Sequence, residues 1–270
     1  MRGINERFIN DLLNGELSYF LNQVKDNPDL CLEVRQGYIN IYYRGGSLLK
    51  ITQKRSGYQF SFDSKYCLNK SDNTYFELFN NLSAYDITNV INYFPTMISE
   101  MDSWFAVHPK LEREFQHNLL KSNTCIIDIE YQIRRRSRLD MLVYSSNKVI
   151  IVENKFGGGA ISGKSGIAKH YKDISDILLE KDLTDELIDS IINISKNKCK
   201  LGLRDIEVKK EDIKDIEIIF LFAGYNKKSK AIVNEIKFMN KLLPAKVLFM
   251  DKNNYIIDYN DAIDLFCYEY

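Results

Sequence analysis

The sequence predicts an α/β protein: a mixed β-sheet flanked by helices, in the order helix, three strands, helix, strand, preceded by a β-rich module. Three observations carry this. Apolar runs of strand length fall at 125–133, 139–144 and 148–155, joined by short connections. Helical spacing of apolar residues appears on both sides of them, and four short runs rich in aromatic and β-branched residues precede residue 63. The expected division is an N-terminal α+β module over 1–105 that serves substrate or partner recognition, and a second domain over 106–270. A chain of 270 residues can bury the core that either one large or two modest domains need.

In chain order, Ile4, Phe8, Leu12, Leu13, Leu17, Phe20, Leu21 and Val24 recur near the helical period, so one or two helices open the chain. Asn27-Pro28-Asp29 breaks the pattern. Runs at 32–34, 38–43, 48–52 and 58–62 then read as a β-meander, with Arg44-Gly45-Gly46-Ser47 as a hairpin turn. Tyr42, Tyr43, Arg44, Lys50, Lys54, Arg55 and Tyr58 form either a nucleic-acid platform, by stacking and phosphate contact, or an ordinary half-buried sheet with aromatic cross-strand pairs. A helical region follows over 85–105, in which Pro95 ends one helix or starts the next.

His108-Pro109 starts the first helix of the second half, with Leu111, Phe115 and Leu119 as its buried stripe. Helices are expected at 167–179, 183–195 and 230–243, and strands at 216–222, 246–250 and 255–258.

The chemistry concentrates in Arg138–Lys155, RLDMLVYSSNKVIIVENK. Two strands joined by Ser145-Ser146-Asn147 form a hairpin. In the second, alternation puts Glu153 and Lys155 on one face and Asn154 on the other. Asp140, near the start of the first strand, lies opposite Glu153 at the end of its mate. Two carboxylates and an ammonium converge there. A magnesium-type cation needs only one or two protein carboxylates beside waters and substrate phosphate, and a lysine one pleat away can hold an attacking water.

An Asp on one strand, Glu-x-Lys ending the next after Val-Ile-Ile-Val, and an acid-bearing helix upstream together resemble the PD-(D/E)xK nuclease superfamily, the restriction-endonuclease-like proteins. The resemblance covers about residues 108 to 223. It implies a restriction-endonuclease-like core of order αβββαβ and a Mg2+- (or Mn2+-) dependent deoxyribonuclease, a phosphodiester hydrolase acting on DNA, with RNA as the other candidate substrate. Asp140, Glu153 and Lys155 would be catalytic. Glu112 would be the helical acid, with Glu114 as its rival. Asp140, Glu153 and Asn154, the last through its backbone carbonyl, would hold the metal. Many such nucleases carry a Gln and a Tyr on the helix after the site; Tyr171 matches, and Lys169 or His170 takes the place of the Gln. Arg134, Arg135, Arg136, Arg138, Lys164, Lys169, His170 and Tyr171 are the expected nucleic-acid contacts. Host defence such as phage restriction is the expected setting, repair the alternative, with a homodimer or a defence-system protein as partner.

Lys plus Arg equal Asp plus Glu at 37 each, so overall charge gives no pull toward nucleic acid and any phosphate-binding surface must be local. Basic segments at 134–138, 164–172, 196–204 and 227–230 supply candidates, or are solvated faces. A second function class is NTP binding, since Gly158 to Ser165 spells a phosphate-loop pattern between a strand and a helix. Against it, little chain remains to complete a nucleotide-binding sheet. A third is a non-catalytic nucleic-acid binder. The five cysteines lack metal-ligand spacing, and no apolar run reaches membrane-span length, so a cytoplasmic protein with reduced thiols and no membrane partner is expected.

Overall fold

The computed structural model describes residues 1–67, 86–109, 111–134, 138–158 and 161–268. It is a mixed α/β structure with two sheets, and it divides into two compact units. One comprises residues 2–117 and 193–207, the other Met1, 118–192 and 208–270. The first therefore reaches beyond residue 105 and takes in a second, distant stretch of chain.

In the N-terminal unit, α1 (Glu6–Leu13) starts where the Asn5 side chain accepts the Phe8 N–H at 2.9 Å, and α2 (Ser18–Asp26) follows. Strands β1 (Leu30–Val34), β2 (Tyr38–Tyr43), β3 (Gly46–Lys54) and β4 (Gly57–Ser61) form an antiparallel meander in sequence order. The β2–β3 turn is Arg44-Gly45, with φ of 50° and 75°, a pair of left-handed residues that matches strand twist. Gly45 has a second reason to be glycine: a Cβ there would lie 2.4 Å from the Arg113 carbonyl oxygen.

Of the two readings of this sheet, burial of its rings fits the packed sheet and not the platform. Tyr42, Tyr43 and Tyr58 are buried. The Tyr58 hydroxyl donates to Asp11 at 2.7 Å and that of Tyr43 to Asp102 at 2.8 Å. Burial, reinforced by the Asp102 contact, pushes the Tyr43 pKa up to about 12. Arg44 is tied to Glu114 at 3.1 Å, and the Lys50 ammonium rests over the Tyr38 ring at 4.2 Å. Tyr58 packs on Phe8, and Phe20 packs on Phe60 and Phe94 in the same core, while β2 is buried on both faces from Ile39 to Tyr43.

Pro95 neither starts nor ends a helix but sits inside α3 (Ile87–Val107). The lost backbone bond is tolerated because Val90, Phe94, Met97, Met101 and Phe105 anchor one face of the helix in the core. The expected stretch before Asp86 lies outside the described residues. Helix α4 (Leu111–Ser122) is present, but Leu111 is exposed and not part of its buried stripe.

The other unit holds a six-stranded sheet of order β10-β9-β8-β7-β6-β5. Strands β5 (Ile126–Gln132), β6 (Arg138–Ser145) and β7 (Lys148–Phe156) run antiparallel in sequence order. Helices α5 (Ile167–Leu179) and α6 (Lys181–Lys200) then carry the chain to β8 (Asp215–Ala223), parallel to β7. Helix α7 (Lys230–Lys237) leads to β9 (Lys246–Met250), parallel to β8, and β10 (Ile263–Asp264) closes the sheet antiparallel to β9. Strand β7 has a partner on both edges and is buried from Val149 to Lys155, as its unbroken apolar run requires.

Two expected elements differ. The helix expected to reach 243 ends at Lys237, and 255–258 is not a strand. Asn123 instead takes up that segment's polar groups, donating to the Tyr255 carbonyl at 2.6 Å and accepting from Ile257 N at 3.0 Å.

Within the N-terminal unit, Glu33 on β1 is 1% exposed and is met by Lys198 Nζ at 2.7 Å and Arg35 Nη1 at 3.6 Å. Removing one partner of a buried pair leaves a charge without compensation, at about 3–5 kcal/mol. Lys198→Ala is expected to destabilise the protein by about 3 kcal/mol, the lower end, because Arg35 remains to face Glu33. Urea unfolding checks this; a change under about 0.5 kcal/mol, the range of an ordinary surface substitution, would contradict it.

Candidate functional site

The two-residue turn Ser146-Asn147, with φ of 51° and 61°, sets the register of β6 against β7 and pairs Ser145 with Lys148. Counting along that register brings Asp140 opposite Glu153, but the β6–β7 ladder ends one pair earlier, at Met141 and Val152. Beyond it the Asp140 side chain acts for the missing backbone partner: Oδ2 accepts the Asn154 N–H at 3.0 Å. The carboxylate is thereby fixed at the site where the two strands part.

Glu153, Asn154 and Lys155 are 1%, 1% and 6% exposed. Burying a carboxylate there demands compensation. Glu153 Oε1 receives it from two sides: Lys155 Nζ donates at 2.9 Å, and His170 Nδ1 lies 3.0 Å away. His170 is in the first turn of α5, which begins soon after β7 ends, so the same loop that leaves the strand returns a nitrogen to it. Glu153 Oε2 is buried and has no hydrogen-bond partner among the described residues. A buried acceptor left open beside an Asp carboxylate, made of hard oxygen donors, fits what a magnesium-type cation or its bound water would meet. Among the described residues no group of three or more His, Cys, Asp or Glu side chains is set to hold a metal ion.

Other expected site residues are placed differently. Tyr171 is 1% exposed, and its hydroxyl donates to the Leu243 carbonyl at 2.7 Å while accepting from Leu242 N and Leu243 N. It anchors the segment after α7 to α5, which corrects its assignment as a nucleic-acid contact. Arg134 is exposed, but Nε donates to Glu186 at 2.6 Å, and it lines a cleft of about 380 Å³ with Asp182, Asp185, Glu186 and Asp189. Such acidic surroundings oppose the approach of a phosphate to Arg134. Arg138 pairs with Glu130 at 3.1 Å; Arg135 and Arg136 lie outside the described residues. Lys169 is exposed and ion-paired with Asp173 one turn on, and Lys164 is exposed in a short 3-10 turn. Glu112 is an exposed residue of the N-terminal unit, and Glu114 of the same unit is held by Arg44.

The phosphate-loop-like stretch folds back on itself. The Gly166 N–H donates to the Gly163 carbonyl at 3.1 Å and the Ile167 N–H to the Ile161 carbonyl at 2.8 Å. Two of the backbone N–H groups at the start of α5 are thus already used.

His170, expected on the helix beside the site as a stand-in for a Gln and as a nucleic-acid contact, is the residue of that helix that meets Glu153. Its position one turn into the helix that follows an acid-bearing strand is the signal, and that signal acquires meaning only when the loop length is known to return the helix to the strand.

Asp140 holds a backbone N–H as well as a charge, and the two roles separate by substitution. Asp140→Ala leaves the Asn154 N–H without its acceptor and is expected to cost about 1–3 kcal/mol, whereas Asp140→Asn keeps an oxygen there and is expected to cost less than half as much. Chemical denaturation of the two variants checks this; equal losses would mean that the Asn154 contact carries no stability. In comparisons with protein-family models, curated proteins and solved structures, nothing matches this chain.

Proposed function

We propose that the protein is a divalent-metal-dependent nuclease that hydrolyses DNA phosphodiester bonds, built on a restriction-endonuclease-like core. The observation that carries this is the buried Glu153 carboxylate, one oxygen shared by Lys155 and His170 and the other open, next to Asp140 at the end of adjoining strands. The chain order supports it too: α4, the β5–β6–β7 meander, α5 and then β8 follow helix, three strands, helix, strand.

Asp140 and Glu153 would hold magnesium or manganese, which supplies charge neutralisation at the scissile phosphate and a more acidic bound water. The protein's own groups do the rest. Asp140, fixed by the Asn154 N–H, presents a carboxylate that needs no reorganisation on binding. Lys155 donates to the buried Glu153 carboxylate, and its remaining ammonium protons can orient the attacking water in line with the phosphorus. His170 braces the same carboxylate oxygen from the helix side.

Purified protein incubated with supercoiled and linear DNA is expected to cleave with magnesium or manganese and to stop in excess EDTA. Asp140→Asn, Glu153→Gln and Lys155→Met are each expected to lower the rate by about 10²–10⁴ with the fold retained. Manganese is expected to raise the melting temperature of the wild type and not that of Glu153→Gln. Cleavage at the wild-type rate in all three variants, or in EDTA, would refute the assignment. ATP binding that Lys164→Ala abolishes, with no cleavage by the wild type, would point to the phosphate-loop reading instead.

A further inference from the structure

Strands β7, β8 and β9 are parallel and end together: Phe156 pairs with Ala223, and Ala223 with Met250. The three loops leaving these ends are bonded to one another. Gly157 N–H donates to the Ala223 carbonyl at 2.8 Å, and Gly224 N–H to the Met250 carbonyl at 2.9 Å. Gly224, at φ 73°, is close enough to the third loop that an added Cβ would lie 3.3 Å from Lys252 Cβ and 3.8 Å from Gly157 Cα. Lys155 belongs to this same edge, one residue before the end of β7. In parallel sheets, ligands bind outside the carboxyl ends of the strands, where the loops diverge.

The loop leaving β8 carries positive charge, and the β9 loop pairs Asp251 with Lys252 in sequence. After β8 the chain reads Gly-Tyr-Asn-Lys-Lys-Ser-Lys, with no acid between Phe220 and Asn234. Asn226 shapes the turn: its side chain accepts the Lys228 N–H at 2.8 Å and its carbonyl the Ser229 N–H at 3.0 Å, which leaves Lys227 and Lys228 exposed at the tip. Lys252, exposed on the β9 loop, adds a third ammonium. Among the described residues none of these three is in an ion pair, unlike Lys148, Lys169, Lys172 and Lys246, which are all held by carboxylates. Charges left unneutralised beside a site whose own carboxylates would repel a polyanion have a function that the neutralised ones lack.

We infer that Lys227, Lys228 and Lys252 form a clamp for the sugar-phosphate backbone of DNA, contributed by the β8 and β9 loops and continuous with Lys155. The clamp rests on the nuclease reading for the identity of its ligand, but its test needs no cleavage. It supplies the phosphate contacts that Arg134 and Tyr171, placed as they are, do not. Phosphate contacts of this kind fix where a strand lies and carry no sequence preference.

The test is binding of a labelled random-sequence DNA duplex by the full chain in EDTA, across a range of salt. The triple variant Lys227→Ala/Lys228→Ala/Lys252→Ala is expected to lose at least about tenfold in affinity at low salt. Its slope of log affinity against log salt is expected to shrink by about 2–3, since each phosphate contact contributes about 0.9. Lys209→Ala/Lys214→Ala, which removes exposed lysines ahead of the opposite end of β8, is expected to leave the slope within about 0.5 of the wild type, less than one contact's contribution. An unchanged slope in the triple variant, an equal loss per charge in the control, or no DNA binding by the wild type would each overturn the clamp. Wild-type cleavage with an unchanged triple-variant slope would remove the clamp and leave the nuclease standing; a lost slope with no cleavage under any metal would do the reverse. All three side chains are exposed, and an unchanged circular dichroism melt confirms that the variant is folded.

Discussion

The burial of Glu153 within a strand that has neighbours on both edges is the constraint from which the rest of the C-terminal unit follows. A carboxylate at that depth is unfavourable by several kcal/mol unless it is met by donors. Lys155, one pleat along the same face, meets it at no cost in chain placement. His170 meets it only because α5 starts where it does, so the length of the β7–α5 loop and the packing of that helix answer to the same carboxylate. Strand β8 then covers the remaining edge of β7 over nine residue pairs, which keeps water from competing for Glu153. Fold and site are here one problem, since the sheet that hides the charge also aims it.

Much of this unit was legible in the sequence because its signals are local. Val149 to Val152 reads as a strand buried on both faces, Ser146-Asn147 tolerates left-handed backbone, and alternation alone sets Glu153 and Lys155 together. The parts that misread depend on tertiary packing. Tyr171 is the kind of residue that decorates a binding surface, yet its hydroxyl is consumed by the backbone at Leu242 and Leu243, seventy residues away in sequence. Pro95 reads as a helix boundary because its intrinsic cost is large, and five core residues outweigh it. Residues 255–258 carry strand-like composition, but their polar groups are bound by Asn123, a residue no periodicity would nominate. Arg134 looks like a phosphate ligand in a row of basic letters and becomes a counter-ion once α6 brings Glu186 to it.

The N-terminal unit shows how one composition supports opposite surfaces. Tyrosines interleaved with basic residues are what a strand-binding platform needs, but Tyr42, Tyr43 and Tyr58 are buried, the hydroxyls of Tyr43 and Tyr58 donating to acids and that of Tyr42 accepting from Arg35. Arg44, at the tip of its hairpin, is held between Asp102 and Glu114. The charge of Arg44 is therefore already engaged in the unit's own cohesion, while Lys54 and Arg55 stay exposed.

The stretch 193–207, which completes the N-terminal unit, is made long after the rest of it. Ile4 N–H has its acceptor in Asn197, and Glu33 has its closest cation in Lys198. A nascent chain that has emerged only as far as α4 has formed the meander's hydrophobic contacts but holds a glutamate in its interior without its closest partner. Folding of the first unit thus waits on translation of most of the second, so the vectorial, domain-by-domain order usual for multidomain chains does not hold. A gene fragment cut after the meander would encode a protein that is incomplete in charge even though it is complete in sheet.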